Sequence, residues 1–132
     1  MSDLTIRQAQ QLVDSWMKER GWSYWHPLAQ LARMIEELGE LARVVNHVYG
    51  EKPKKAEEPE QELGLEMADL LYTMICLANS QDIDLQSALE QALAKYAARD
   101  AARYGPPIGS ASTASAESQP PATAGEEIAP LP

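Results

Sequence analysis

The sequence predicts an all-α protein: a four-helix, bundle-like domain followed by a disordered C-terminal tail. Three observations predict it. Phenylalanine is absent and β-branched residues are sparse, while Ala, Leu, Gln and Glu abound, which favours helices. Apolar residues recur at three- and four-residue intervals in four stretches, and nowhere in strand-like alternation. At Gly105-Pro106-Pro107 the composition shifts: 19 of the 28 residues from Gly105 to Pro132 are Pro, Ala, Ser or Gly, and none is aromatic. Such a segment buries too little apolar area to offset its chain entropy. The folded domain is therefore expected over 1–104 and the tail over 105–132.

The first helix is expected over 5–20. Thr5 and Gln8 fit a capping box and Gly21 supplies a stop. Ala9, Leu12, Val13, Trp16 and Met17 give it one apolar stripe. The second is expected over 27–49, between Pro27, which suits a first turn, and Gly50. Leu28, Leu31, Ala32, Ile35, Leu38, Ala42, Val45 and Tyr49 form one apolar stripe; Leu41, Val44 and Val48 form another. Two flanks of this kind call for burial on both sides, by the domain itself and by a second subunit. A polar loop from Glu51 to Glu58 leads to a third helix over 59–79, with Leu63, Met67, Leu70, Leu71, Met74, Ile75 and Ala78 facing inward. The fourth is expected over 85–103, capped by Asp84, with Ala88, Leu89, Ala92, Leu93 and Tyr96 as its face.

Eleven Lys and Arg against 20 Asp and Glu leave a net charge of −9. No surplus cation exists to neutralise phosphates of a nucleic acid polymer or an anionic membrane. The longest apolar run, 70–78, falls far short of the roughly 20 residues a span needs. Met1-Ser2-Asp3-Leu4 lacks the start of a signal peptide, and the lone Cys76 cannot form an internal disulfide. A soluble cytoplasmic protein is the expectation, with Cys76 assigned to packing.

Carboxylates interrupt the apolar pattern. Glu37 and Glu40 are one turn apart on the second helix, and Glu66 and Asp69 repeat that spacing on the third. Glu62 falls on the same side, four residues before Glu66. Helices joined by a short loop pack antiparallel, which would set the two pairs face to face. Four converging carboxylates repel one another unless a cation neutralises them, and oxygen donors suit Mg²⁺, Mn²⁺ or Ca²⁺. Without Glu-x-x-His pairs, a di-iron centre is disfavoured; His47 lies two turns beyond Glu40. The same pairs also suit plain solvated helix faces. Gly39, in mid-helix, points to a close approach of another group.

Glu36-Glu37-Leu38-Gly39-Glu40-Leu41, followed by Glu66-Met67-Ala68-Asp69-Leu70-Leu71-Tyr72, resembles the E-x-x-E … E-x-x-D signature of the MazG-like nucleotide pyrophosphohydrolases. Asn46-His47, Gly50 to Lys55 and Ile75 to Asn79 are similar to the short, single-domain bacterial members. The resemblance covers 1–104; the Pro/Ala-rich tail departs from it. It implies an all-α fold assembling as a homodimer or dimer of dimers. It also implies Mg²⁺-dependent hydrolysis (Mn²⁺ a substitute) of a nucleoside triphosphate to monophosphate and pyrophosphate, as in the clearance of unwanted nucleotides. It implies Glu37, Glu40, Glu66 and Asp69 as metal ligands, with Glu36 orienting or deprotonating the attacking water. The alternative is a non-catalytic helical oligomerisation or regulatory module with a vestigial metal or nucleotide site.

A triphosphate also needs cationic side chains. Lys95, Arg99 and Arg103 align on the fourth helix, where family members carry basic residues for the phosphates; a solvated stripe paired with acids such as Asp100 has the same spacing. Lys52, Lys54 and Lys55 in the loop are second candidates. Trp22, Tyr24, Trp25 and His26 either stack on a base or pack the corner between the first two helices. Trp25 and Asn79 are the candidate base contacts.

Overall fold

The computed structural model describes residues 3–58 and 62–109. The described residues form four helices and no strand: α1 (Ile6–Glu19), α2 (Pro27–Tyr49), α3 (Leu63–Ser80) and α4 (Leu85–Tyr104). The chain divides into one compact unit ending at Tyr96 and another starting at Ala97. The first holds α1 to α3 and the first part of α4. The second comprises, among described residues, the rest of α4 and 105–109, all but Asp100 exposed. Most of the expected tail, 110–132, lies outside the described residues.

Local signals set most helix ends. Thr5 Oγ1 accepts from the Gln8 amide at 3.1 Å and the Thr5 amide donates to Gln8 Oε1 at 2.9 Å, closing the capping box. Gly21, at φ +65°, ends α1, with the Gly21 amide donating to Lys18 O and the Trp22 amide to Met17 O, both at 3.0 Å. Pro27 opens α2, and His26 caps it through Nδ1, which accepts from the Leu28 amide at 3.3 Å. Gly50 closes it. Asp84 caps α4, accepting from the Ser87 amide at 3.1 Å.

The third helix corrects the expectation. It begins at Leu63, because Glu62 is extended (φ −93°, ψ 125°) and serves as N-cap residue. Glu62 therefore shares no helix face with Glu66. Residues 59–61, where the helix was expected to start, lie outside the described residues.

Within the first unit α2 packs chiefly on α3, and α1 packs on α3 more lightly. Val44, Ile75, Cys76 and Ala78 are the buried apolar side chains among described residues; Gln10, Gln30, Glu37, Glu66 and Thr73 are as buried. The expected apolar stripes are only partly covered. Leu12, Leu28, Leu31, Ile35, Leu38, Val45, Tyr49, Met67, Leu71, Met74, Leu89, Leu93 and Tyr96 are exposed. One chain supplies too few facing helices to cover them. Gly39 also departs from expectation: a Cβ built there meets nothing within 4 Å. No helix of the described residues is long and apolar enough to cross a membrane.

Candidate metal centre and nucleotide cavity

The pairing of α2 with α3 brings carboxylates together. Glu37 and Glu40 project from one face of α2 and Glu66 from the facing side of α3. One oxygen of each lies within 4.8 Å of the others. Glu37 and Glu66 are 4% and 6% exposed, while Glu40 is open to solvent. Asp69 is not among these three close carboxylates, but its charge acts on Glu37 and it lines the same cavity as Glu37 and Glu40.

Burial pushes the Glu37 carboxyl above the ordinary glutamate range; Arg33 opposes that shift, and the charges of Glu40, Asp69 and Glu66 add to it. Arg33, one turn before Glu37, contacts it through Nη2 and holds Glu36 Oε2 through Nη1 at 2.9 Å. The donor set is oxygen only, from three carboxylates with neither His nor Cys among them. It fits a hard divalent cation, which would offset the cost of a buried, crowded anion.

Beside the carboxylates opens a cavity of about 790 Å³. Trp16, Trp22, Trp25 and Tyr72 line it as aromatic surface, Gln30, Arg33, Glu37, Glu40 and Asp69 as polar surface, together with Thr73 and Cys76. Trp16 meets Trp22 edge-on at 5.4 Å and Tyr72 at 6.5 Å, and the Arg20 guanidinium covers Trp16 at 4.4 Å. Burial and the adjacent Cys76 thiol push the Tyr72 phenol up to about 12, and burial likewise raises the Cys76 thiol. Both groups are therefore protonated at neutral pH.

Other expected site residues stand elsewhere. Glu36 has its side chain 62% exposed and points to Arg33 rather than into the three-carboxylate cluster. Lys54 is half-buried and Lys55 exposed in the loop after α2; Lys95 is exposed on α4. Among the described residues none of these three lysines lines the cavity. Arg99 and Arg103 belong to the second unit, where Arg99 Nε donates to Asp100 Oδ1 at 2.8 Å. Trp25 lines the cavity.

Asn79 sits in a polar network that ties α1 to the α3–α4 corner. Its Oδ1 accepts from Gln10 Nε2 at 2.9 Å, and its Nδ2 donates to Gln10 O and the Tyr24 hydroxyl, both at 3.0 Å. Two residues missed in the sequence are Arg33, the cation that does line the cavity, and Gln30. The spacing of Arg33 before Glu37 was the available signal for the first; nothing local marked the second.

Antiparallel-type pairing of two helices, a carboxylate cluster on their shared wall and an aromatic cavity beside it define an all-α protein with a cation-accepting, ligand-sized site. The chain belongs to the MazG nucleotide pyrophosphohydrolase family: the profile of that domain matches residues 26–104. It is 47% identical over 104 residues to YpjD of Bacillus subtilis, covering 79% of this chain and 94% of YpjD. It is 34% identical over 92 residues to YvdC of the same organism, covering 61% and 87%. The crystal structure of YpjD superposes with a TM-score of 0.68 at 47% identity, over 76% of this chain and all of that one. A Bacillus-conserved MazG protein described as a nucleotide pyrophosphohydrolase superposes with a TM-score of 0.63 at 41% identity, over 73% and 93%.

Proposed function

We propose that this chain is a cytoplasmic, Mg²⁺-dependent hydrolase that cleaves a nucleoside triphosphate between its α and β phosphates, yielding the monophosphate and pyrophosphate. Family membership supports the reaction class. The observation that carries the reading is the convergence of Glu37, Glu40 and Glu66, the first two of which line the aromatic cavity.

Glu37, Glu40 and Glu66 would hold the cation, with Asp69 completing the set. Bound there, Mg²⁺ would counter the triphosphate charge and acidify a water. Arg33 neutralises Glu37 and Glu36 in the unliganded chain; with Glu37 engaged elsewhere, its guanidinium is released to grip a phosphate. Glu36, one residue from the ligands, is then the group that orients the water and takes its proton. The water oxygen attacks the α phosphorus, the bond to the bridging oxygen breaks, and pyrophosphate leaves with the electron pair. Lys95, Lys54 and Lys55 remain candidates for the distal phosphates, and Trp25 for the base.

A homo-oligomer, a dimer or a dimer of dimers, is part of this reading. Leu28, Leu31, Ile35, Leu38, Ala42, Val45 and Tyr49 follow alternating three- and four-residue steps along all of α2, and all are exposed. A contiguous apolar seam of this length suits a helix of a second copy. Gly39, open in the single chain, lies beside that seam.

The deciding experiment incubates the purified protein with a panel of ribo- and deoxyribonucleoside triphosphates and Mg²⁺. Release of pyrophosphate is expected, and its loss in Glu40→Ala and Asp69→Ala with helical circular dichroism retained. Orthophosphate as the sole product rejects the reaction. Nucleotide binding without turnover across the panel favours the non-catalytic module.

A further inference from the structure

Two glutamines are buried in the first unit, and the fold treats them differently. Gln10, 8% exposed, has both amide donors and its oxygen engaged: Nε2 donates to Asn79 Oδ1 at 2.9 Å and to Ile83 O at 2.8 Å, and Oε1 accepts from the Leu85 amide at 2.9 Å. Gln30 is 6% exposed and lines the cavity. Among the described residues nothing donates to its side chain or accepts from it, yet its amide atoms are not sealed from solvent, unlike His47 Nε2 and Glu66 Oε2. The amide of Gln30 is thus left to the water of the cavity it lines. A ligand that displaces this water must replace its hydrogen bonds.

Its position on α2 gives those bonds a use. Gln30, Arg33, Glu37 and Glu40 follow steps of three, four and three residues, so they share one face of the helix. Seven residues from Gln30 to Glu37 correspond to about 10 Å along the axis. With the phosphates at the carboxylates, the sugar spans the middle and the base reaches Gln30. Trp25, just before α2, lines the same cavity, is 61% exposed, and makes no ring–ring or cation contact among described residues. Its faces are open for stacking, unlike those of Trp16 and Trp22.

We propose that Gln30 is the residue by which the site selects its base, its amide meeting the hydrogen-bonding edge of a nucleobase stacked on Trp25. This rests on the nucleotide reading above and deepens it. A carboxamide presents one donor and one acceptor side by side. Held one way round, it accepts ring nitrogen and exocyclic amine, as in adenine and cytosine; held the other way, carbonyl and ring N–H, as in uracil, thymine and guanine, so the orientation the site fixes sets the preference. A site with such an unsatisfied amide rejects a ligand that cannot pair with it more strongly than an apolar pocket does.

The test measures kcat/KM for a panel of nucleoside triphosphates and for ribose 5-triphosphate, which has no base, in the wild type and in Gln30→Met. In the wild type the preferred base is expected to outperform both ribose 5-triphosphate and the same nucleotide methylated on its pairing edge. In Gln30→Met the preference over the other bases falls by about 10- to 100-fold, and edge methylation no longer matters. A folded, active Gln30→Met that keeps the wild-type ratios between bases overturns the proposal. So does a wild type indifferent to edge methylation, a measurement that needs no variant. A wild type that hydrolyses no triphosphate at all instead overturns the proposed reaction.

Discussion

Arg33 and Glu37, one turn apart on α2, form an ion pair shared unequally with water: the arginine side chain is 43% exposed and the glutamate 5%. The arginine thus acts as a partly solvated counter-ion to a buried anion. Replacing it by glutamine leaves that anion uncompensated. Breaking a fully buried pair costs about 3–5 kcal/mol, and the exposure of Arg33 reduces this to about 1–2 kcal/mol. Urea denaturation of metal-free Arg33→Gln is expected to show that loss, and saturating Mg²⁺ to restore most of it. Equal stability of variant and wild type without metal would remove the counter-ion role.

Glu66 is buried against Glu37 and Glu40, so like-charge repulsion strains the cluster until a cation arrives. Wild type is expected to gain about 2.7 kcal/mol at a cation concentration a hundredfold above its dissociation constant. Glu66→Gln relieves repulsion and should match or exceed the metal-free wild type, yet gain far less from Mg²⁺. Thermal melts with and without the ion measure both. An undiminished gain in Glu66→Gln would place the cation elsewhere.

The seam on α2 makes a prediction about mass. A charge at Ile35 or Leu38, both exposed in the single chain, should cost the chain little while disrupting a helix packed on them. Light scattering is expected to give a multiple of 14.5 kDa for the wild type and a single-chain mass for Leu38→Glu at micromolar concentration. A wild type that is already monomeric shows that the seam is not a self-association surface.

Much of this was legible in the sequence, and what was not has a common cause. The ends of α1, α2 and α4 could be read because their signals are local: a threonine bonding three residues on, a proline at a first turn, an aspartate beneath an amide. The carboxylate cluster could be read because two turns of spacing and one hairpin bring it together. Gln30 and Arg33 were not picked out, since polar residues between apolar ones on an amphipathic helix look like a solvated edge until the fold shows which cavity they line. Leu28, Ile35 and Leu38 were recognised as a face to be covered, but periodicity does not say by which chain. The start of α3 was misplaced because Pro59 suits a first turn and the extended backbone at Glu62 leaves no mark in residue type.

The Arg7–Asp84 contact predicts an acid-sensitive corner. Arg7 Nη2 and Nε reach Asp84 Oδ2 at 2.7 and 3.0 Å, linking α1 to the cap of α4. The bond from Arg7, with the Ser87 amide next, holds the Asp84 carboxyl below its ordinary range. A folded-state value below the unfolded one stabilises the protein above the ordinary aspartate range, and that stability is lost as pH falls through the depressed value. Melting temperature is therefore expected to drop on acidification below about pH 4, and less steeply in Asp84→Asn. Parallel curves would show that the contact contributes nothing to the pH dependence.

Asn79 offers the sharpest separation of fold from function. Both donors of its amide and one acceptor direction of Oδ1 are taken up by Gln10 and Tyr24, and Tyr24 in turn donates to Asp14 Oδ1 at 3.2 Å. Removing the amide takes away three hydrogen bonds at once, although Gln10 Nε2 keeps Ile83 O and Gln10 O stays within the ladder of α1. Each lost bond contributes about 0.5–1.5 kcal/mol. Asn79→Ala is thus expected to lose about 2–4 kcal/mol in denaturant titration. Because the network leaves no donor to spare for a ligand, the ratios of kcat/KM between bases should stay at wild-type values in the fraction that remains folded. Altered base ratios in Asn79→Ala would mean that the amide leaves its partners when a nucleotide binds, and would return Asn79 to the base site alongside Gln30.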